Sequence, residues 1–193
     1  MKISRTRLRN IIKEVILKEQ DDASCDRLLA AVLASESPNN SDGMRAVYDV
    51  IQTRAKYGFK ELPVGDIPAQ ITAKGQFSGY NKFKNTAPFI EYYSGTAPDS
   101  AYSVGKEKIA TEKFLRKKQF NSACEAIKKG PKGSGATHFV NPARASTENK
   151  WWEEEYDPVK KKGFIKADKV GAHIFGWDMS VSQARTAYNE RKK

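Results

Sequence analysis

The sequence predicts a mainly α, α+β domain with one or two short strands. Apolar residues recur at helical spacing in 28–34 and 44–56, and helical patterns return over 100–129. Around 163–166 and 173–175 the residues alternate in polarity, which is the spacing of half-buried strands. The chain shows no internal repeat. Helices are therefore expected to be the main elements.

The connections between these elements are marked by residues that end helices. The first apolar stretch stops at a cluster of Pro, Asn, Ser, Asp and Gly over 38–43. Residues 58–81 contain four glycines and two prolines, which indicates an ordered loop region. The third helical stretch ends at Gly130-Pro131. A length of 193 residues suits one domain with a real core and a short appendage.

The first 22 residues are predicted to form that appendage, and residues 23–193 the main domain. Five apolar residues of the first segment share one face of a helix, and basic residues cover the rest: Leu8, Ile11, Ile12, Val15 and Ile16. We expect residues 1–22 to form a basic amphipathic helix with a short polar hinge. It is expected to pack on the main domain, with a docking segment and a membrane-surface helix as alternatives. No secretory signal is evident.

The charge of the chain is strongly positive. Lys and Arg number 34 and Asp and Glu 23, which gives a net charge of +11. A charge of this size attracts polyanions, and nucleic acid, an anionic membrane and the acidic bacterial wall all qualify. On composition alone, nucleic acid comes first. No apolar run approaches the ~18 residues that a membrane-spanning helix needs.

The two cysteines, Cys25 and Cys124, have neither metal-ligand spacing nor a C-x-x-C pattern. One disulfide between them is an open alternative. Two free, buried thiols in a reducing compartment are the favoured prediction. No metal and no cofactor is therefore expected.

Glu36 is an acidic residue on the apolar face of the first predicted helix of the main domain. It follows Val32 by four residues and Leu29 by seven, so it shares their face. It also lies at the helix C-terminus, where the macrodipole disfavours negative charge. Burial and the dipole together predict a raised pKa for Glu36, as general-acid catalysis at neutral pH needs. The alternative is a solvent-exposed Glu36, or one paired with Arg45 or Arg54.

Several motifs resemble, in order and spacing, the spore-cortex-lytic (SleB-like) cell-wall hydrolase family. The resemblance covers residues 28–176, except that 100–130 matches loosely. Thr53 departs from the family, which commonly has Asn before the Arg. The matching segments are Leu29–Glu36, Gly43–Arg54, Gly75–Ser78, Gly135–Phe139 with Asn141-Pro142, Trp152 and Val170–Phe175.

This resemblance implies a lysozyme-like, lytic-transglycosylase-like helical domain with a substrate groove. The family cuts peptidoglycan between N-acetylmuramic acid and N-acetylglucosamine. Members similar to this chain act as lytic transglycosylases, in which one Glu is first acid and then base, and the product is a 1,6-anhydro sugar. The matching position here is Glu36. Ordinary glycosidases use two carboxylates, and Asp42 and Asp49 remain candidates for the second.

Seven other residues are predicted to bind the glycan through sugar hydroxyl groups, N-acetyl groups or ring faces: Gln76, Phe77, Ser78, Tyr80, Thr137, His138 and Trp152. Phe77 as a core residue and Gln76 as a loop stabiliser are equally weighted alternatives. A lone histidine is more often structural than catalytic, which applies to His138. His173 has apolar neighbours and is interpreted as mainly structural.

The expected partner is the peptidoglycan glycan strand, with the protein acting on the bacterial cell wall in the periplasm. A bacteriophage endolysin or virion-associated lysin fits this role, with the host cytoplasm before lysis or the virion as further locations. The N-terminal helix would then contact a virion partner. The alternatives are a nucleic-acid-binding module, a structural phage protein that retains a wall-lytic fold, and a cysteine or zinc hydrolase. No nucleic-acid-binding signature supports the first.

Overall fold

The computed structural model describes residues 25–37, 39–143 and 150–192, and the predicted N-terminal helix lies outside them. The described chain is mainly helical with a small sheet, which confirms the α+β class. Two of its helices, α3 and α4, lie in stretches where no helix was predicted. The helices are α1 Arg27–Glu36, α2 Ser41–Lys56, α3 Ile67–Thr72, α4 Thr86–Ser94, α5 Ile109–Lys129 and α6 Ser182–Arg191.

Helix α1 forms the centre of the fold. The Asp26 side chain caps it by accepting a hydrogen bond from the Leu29 backbone N–H. All residues from Leu29 to Ala34 are buried, and α2, α4 and α5 pack around them. Three of the six are alanines, whose small side chains let neighbouring helices approach closely. Glu36, the last residue of α1, is therefore attached to a helix that is buried from Leu29 to Ala34.

A disulfide joins Cys25 to Cys124 and fixes the start of α1 to the last part of α5. The two Cα atoms are 5.6 Å apart. The favoured prediction of two free thiols is therefore wrong, and the alternative of a single disulfide is confirmed. The sequence could not decide between them because the two cysteines are 99 positions apart, and only tertiary packing brings them together.

The sheet contains three antiparallel strands, β1 His138–Val140, β2 Phe164–Val170 and β3 His173–Asp178, in the order β1-β3-β2. The predicted count of one or two strands is therefore wrong. The additional strand is β1, which is only three residues long and too short to show alternation. It exists because it pairs with the buried strand β3, with Phe139 opposite Phe175. Strand β1 is an edge of the sheet and contacts helix α2.

A second, smaller core packs α6 against β3. It contains Trp177, Met179, Ala184 and Ala187. Trp177 also donates a hydrogen bond through Nε1 to the Gly135 carbonyl oxygen at 2.8 Å, which ties the segment before β1 to this core. Within the described ranges, no helix is both long enough and apolar enough to cross a membrane.

Candidate active site

Glu36 ends α1 with a half-buried side chain. Its Oε1 accepts a hydrogen bond from the Gly79 backbone N–H at 3.3 Å. Burial raises the pKa of the Tyr93 phenol, and the negative charge of Glu36 adds a smaller contribution to the rise. The carboxyl group thus lies at the end of a buried helix, with one side against a loop and an aromatic residue.

The loop that carries Gly79 approaches α1 too closely for a larger residue. A Cβ atom at position 79 would lie 2.7 Å from the Ser35 Cβ, closer than two carbon atoms can come without moving. Glycine therefore lets the backbone N–H reach the Glu36 carboxyl group. The predicted loop motif supplies Gln76 and Ser78 on the same segment.

Glu36 lies on the wall of an open depression of about 300 Å³, called here the main cleft. Most of its walls are amide and hydroxyl side chains and backbone, with Phe139 as the aromatic component. The lining residues are Ser35, Glu36, Arg54, Gly75, Gln76, Ser78, Asn81, Phe139, Val140, Asn141 and His173. Among the described residues Glu36 is the one acidic member, and Arg54 is the one permanently charged basic member.

A second depression of about 170 Å³, the side cleft, continues from the main cleft past Glu36. The two share Glu36, Asn141 and His173, so the carboxyl group lies where they meet. Asn39 and Asn40 from the connection between α1 and α2 add further amide groups to the side cleft. An extended polar ligand can therefore pass on both sides of Glu36.

Arg54 lies at the C-terminal end of α2 and is almost fully buried. Its Nε donates to the Thr137 carbonyl oxygen and its Nη1 to the Gln76 Oε1, each at 2.6 Å. The guanidinium group also lies over the ring of Phe59, 5.0 Å from the centroid. Burial lowers the pKa of Arg54 to about 10, so the group stays charged at neutral pH. Arg54 fixes Gln76 in the wall of the main cleft.

Thr137 and His138, two predicted substrate-binding residues, lie outside the main cleft. The Thr137 side chain is fully buried, and its Oγ1 is 2.9 Å from the His138 Nδ1. The His138 ring packs between Phe59 and Trp151, with centroid distances of 5.2 and 5.6 Å. Burial, with smaller contributions from the charges of Arg54 and Lys60, lowers the pKa of His138 to about 3.

The pKa of His138 predicts a loss of stability in mild acid. An unfolded histidine binds its proton near pH 6.5, whereas the folded His138 does so near pH 3. Between these values the unfolded state binds the extra proton, so stability is complete above pH 6.5 and falls as the pH decreases. The loss is up to about 1.4 kcal/mol per pH unit from this group. Urea unfolding at pH 7, 6 and 5 should show the slope in the wild-type protein and a flatter one in His138→Gln. Equal slopes in the two proteins would show that His138 does not cause the loss of stability in acid.

Three other predicted binding residues also lie outside the main cleft. Phe77 is buried in the core and stacks on Phe139, with a centroid distance of 6.2 Å. The Tyr80 hydroxyl lies 3.2 Å from the Thr86 Oγ1. Trp152 is buried. Of the seven predicted binding residues, Gln76 and Ser78 are those whose positions line the cleft beside Glu36.

Neither candidate for a second carboxylate lies in the cleft. Asp49 is buried and accepts hydrogen bonds from the Ser134 hydroxyl and, at 2.9 Å, from the Gly135 backbone N–H. It therefore anchors the segment before β1 to α2. Asp42 has an exposed side chain, 3.9 Å from Arg45 and 3.8 Å from Lys132.

These positions predict different results for the two aspartates. Asp42→Asn should change the free energy of unfolding by less than about 1 kcal/mol, because surface ion pairs contribute little. Asp49→Asn should lower it by about 1–3 kcal/mol, because two donors lose a charged acceptor. Urea unfolding of both variants measures the difference. An equal loss in Asp42→Asn would show that its surface ion pairs stabilise the fold as much as the buried hydrogen bonds of Asp49.

The structure adds site residues that the sequence did not indicate. His173, interpreted as mainly structural, is buried against Phe139 but lines both clefts. The sequence indicated Arg54 as a possible ion-pair partner of Glu36 and as the end of a matching segment, but not as a cleft residue. Asn141 was noted only within a motif. Contacts across the chain place all three, and a single sequence gives no local signal for such contacts.

No protein-family model, curated protein or solved structure matches the chain. The family resemblance of the motifs therefore stays a prediction. The disulfide occupies both cysteines, so neither thiol can act as a nucleophile or metal ligand while it is intact. Within the described part of the chain, no three metal-ligating side chains come together.

Proposed function

We propose that this protein cleaves the glycan strands of peptidoglycan between N-acetylmuramic acid and N-acetylglucosamine, as a lytic transglycosylase with Glu36 as acid and base. The observation that carries the proposal is the position of Glu36. It is the one acidic residue among the described residues of an open, polar cleft, and it ends a buried helix. The proposal includes a lysozyme-like arrangement, with α1 carrying the acid on one side and strand β1 lining the cleft.

The location of Glu36 favours the protonated form that a general acid needs. The C-terminal end of α1 places partial negative charge next to the carboxyl group. The half-buried position reduces its solvation, and both effects disfavour the carboxylate. The Gly79 N–H bond, at 3.3 Å, opposes them by stabilising the charged form. The proposed reaction starts from the protonated form of Glu36.

In the proposed reaction, Glu36 donates its proton to the glycosidic oxygen while the bond from that oxygen to C1 of N-acetylmuramic acid breaks. The sugar develops positive charge at C1. The 6-hydroxyl oxygen of the same sugar then bonds to C1, and the Glu36 carboxylate takes the hydroxyl proton. Glu36 ends in its starting state, the product is a 1,6-anhydro sugar, and no water is consumed.

A single carboxylate suits this reaction better than hydrolysis. Glycosidases that use water or a covalent intermediate place two carboxyl groups about 5–9.5 Å apart across the bond. The candidates Asp42 and Asp49 are committed elsewhere, to surface cations and to the Ser134-Gly135 segment. The intramolecular 6-hydroxyl needs no second carboxylate to activate it.

The remaining cleft residues and the overall charge support a glycan substrate. The side chains of Ser35, Gln76, Ser78, Asn81 and Asn141 offer neutral donors and acceptors, which match hydroxyl and N-acetyl groups. The net charge of +11 draws the protein to a wall that carries carboxylates and phosphates.

Digestion of purified peptidoglycan tests the function. The wild-type protein is incubated with sacculi, and soluble fragments are separated and quantified, with binding to duplex DNA measured in parallel. The proposal expects fragment release that continues until the glycan is consumed. Salt-dependent DNA binding together with no fragment release would favour a nucleic-acid-binding module.

A further inference from the structure

Arg54 carries a buried charge without a carboxylate partner among the described residues. Its side chain is 6% exposed and lines the main cleft. Its described hydrogen bonds go to a backbone carbonyl oxygen and to a neutral amide, at Thr137 and Gln76. A buried charge is costly unless it is paired. A guanidinium has five N–H donors, so donors remain after these two bonds.

After Arg54, the side chain of Gln76 supplies a second donor without a described partner on the same wall. Its Oε1 accepts from Arg54, which fixes the amide orientation and directs the Nε2 elsewhere. This Nε2 is buried and has no hydrogen-bond partner among the residues that the structure describes. Both residues line the main cleft and their side chains touch, so its wall holds a charged group and, beneath the surface, a neutral donor without a described partner. A carboxylate, with two acceptor oxygens and one negative charge, matches both.

We propose that Arg54 and Gln76 form a subsite for the lactyl group of N-acetylmuramic acid, and that this subsite selects glycan whose lactyl carboxylate is free of a stem peptide. The inference rests on the proposed function. The lactyl group is attached directly to the muramic acid ring, so it can enter the cleft together with the bond at Glu36. Carboxylates farther along a stem peptide would instead meet the lysines of the exposed surface.

The state of the lactyl group determines the strength of this contact. In glycan that carries stem peptides, the lactyl carboxyl group is an amide and offers Arg54 a neutral carbonyl oxygen. In glycan stripped of peptides it is a carboxylate, and charge-assisted hydrogen bonds are roughly twice as strong as neutral ones. This difference predicts that kcat/KM is roughly tenfold higher for glycan with the lactyl carboxylate than for glycan with the lactyl amide.

The test compares two substrates that differ only in this group. Glycan strands are stripped of peptides with a muramoyl-alanine amidase, and half of the material is converted to lactyl methylamide with methylamine and a carbodiimide. The wild-type protein is expected to cleave the free-carboxylate glycan roughly tenfold faster than the methylamide glycan. Equal rates, or a preference for the methylamide, would overturn the subsite and leave the proposed function standing. Cleavage of neither glycan, nor of peptide-bearing sacculi, would remove both.

Two matched variants test whether Arg54 and Gln76 cause the preference for the free carboxylate. Gln76→Glu places a carboxylate against Arg54, so the ratio of the two rates should fall toward one. Gln52→Glu makes the same chemical change on α2 away from the main cleft, where Gln52 donates to the Tyr48 hydroxyl, and should keep the wild-type ratio. Because the readout is a ratio, a lower overall rate does not affect it, and thermal unfolding confirms that both variants fold. A wild-type ratio in folded Gln76→Glu would contradict the assignment.

Discussion

Glu36→Gln is expected to lower glycan cleavage on the order of 10³-fold or more, because the amide cannot donate the proton that the leaving oxygen needs. The substitution keeps the volume of the side chain and an oxygen that can accept the Gly79 N–H bond. The fold and binding to the wall should therefore be unchanged. Initial rates of fragment release, with the thermal midpoint and sacculus binding measured on the same samples, check all three expectations.

Glu125→Gln provides the matched control for this prediction. Glu125 is an exposed residue of α5, where it pairs with Lys128, and it lines neither the main nor the side cleft. The same loss of one carboxylate at this position should leave the cleavage rate unchanged. A folded Glu36→Gln protein that cleaves at more than about a tenth of the wild-type rate would remove Glu36 from the acid role.

Replacement of both cysteines by serine is expected to lower the free energy of unfolding by about 4 kcal/mol. The disulfide closes a loop between cysteines that are 99 positions apart, and long loops lose the most entropy in the unfolded chain when closed. It also fixes the start of α1, whose opposite end carries Glu36. Urea unfolding with and without a thiol reductant measures the effect.

Reduction provides an internal control for the disulfide. The wild-type protein should lose about the same stability when reduced, and the double serine variant should not respond to the reductant. A wild-type midpoint that does not shift under full reduction would show that the disulfide contributes nothing to stability.

The sequence predicted α1, which carries Glu36, and α2, which packs against it, because the signals of both helices are local. Residues 28–34 and 44–56 carry apolar residues at helical spacing, and α1 and α2 lie there. Strand β1 and the disulfide were not predicted correctly, because both depend on partners far away in the chain. His138 pairs with Gly176 across the sheet. The residues next to His138 and those next to Gly176 carry no pattern that reveals this pairing.

The residues of the candidate site were likewise predictable only where their signal is local. The sequence indicated Glu36 because an acidic residue on the apolar face of a helix is unusual, and the neighbouring residues in the sequence are enough to show it. Thr137 and His138 were chosen for residue type within a motif, which does not tell which way a side chain points. In the structure neither residue lines the main cleft, and the Thr137 carbonyl oxygen accepts a hydrogen bond from Arg54. The donors of Arg54 and Gln76 became apparent only from their contacts.

Mass spectrometry of the fragments released from purified peptidoglycan, with wild type and Glu36→Gln digested side by side, tests the proposed role of Glu36 as the acid and base of a lytic transglycosylase. We expect fragments that end in 1,6-anhydro-N-acetylmuramic acid, one water lighter than hydrolysis products, and their disappearance in Glu36→Gln. Hydrated, reducible ends in the wild-type digest, or anhydro fragments that persist in Glu36→Gln, would contradict it.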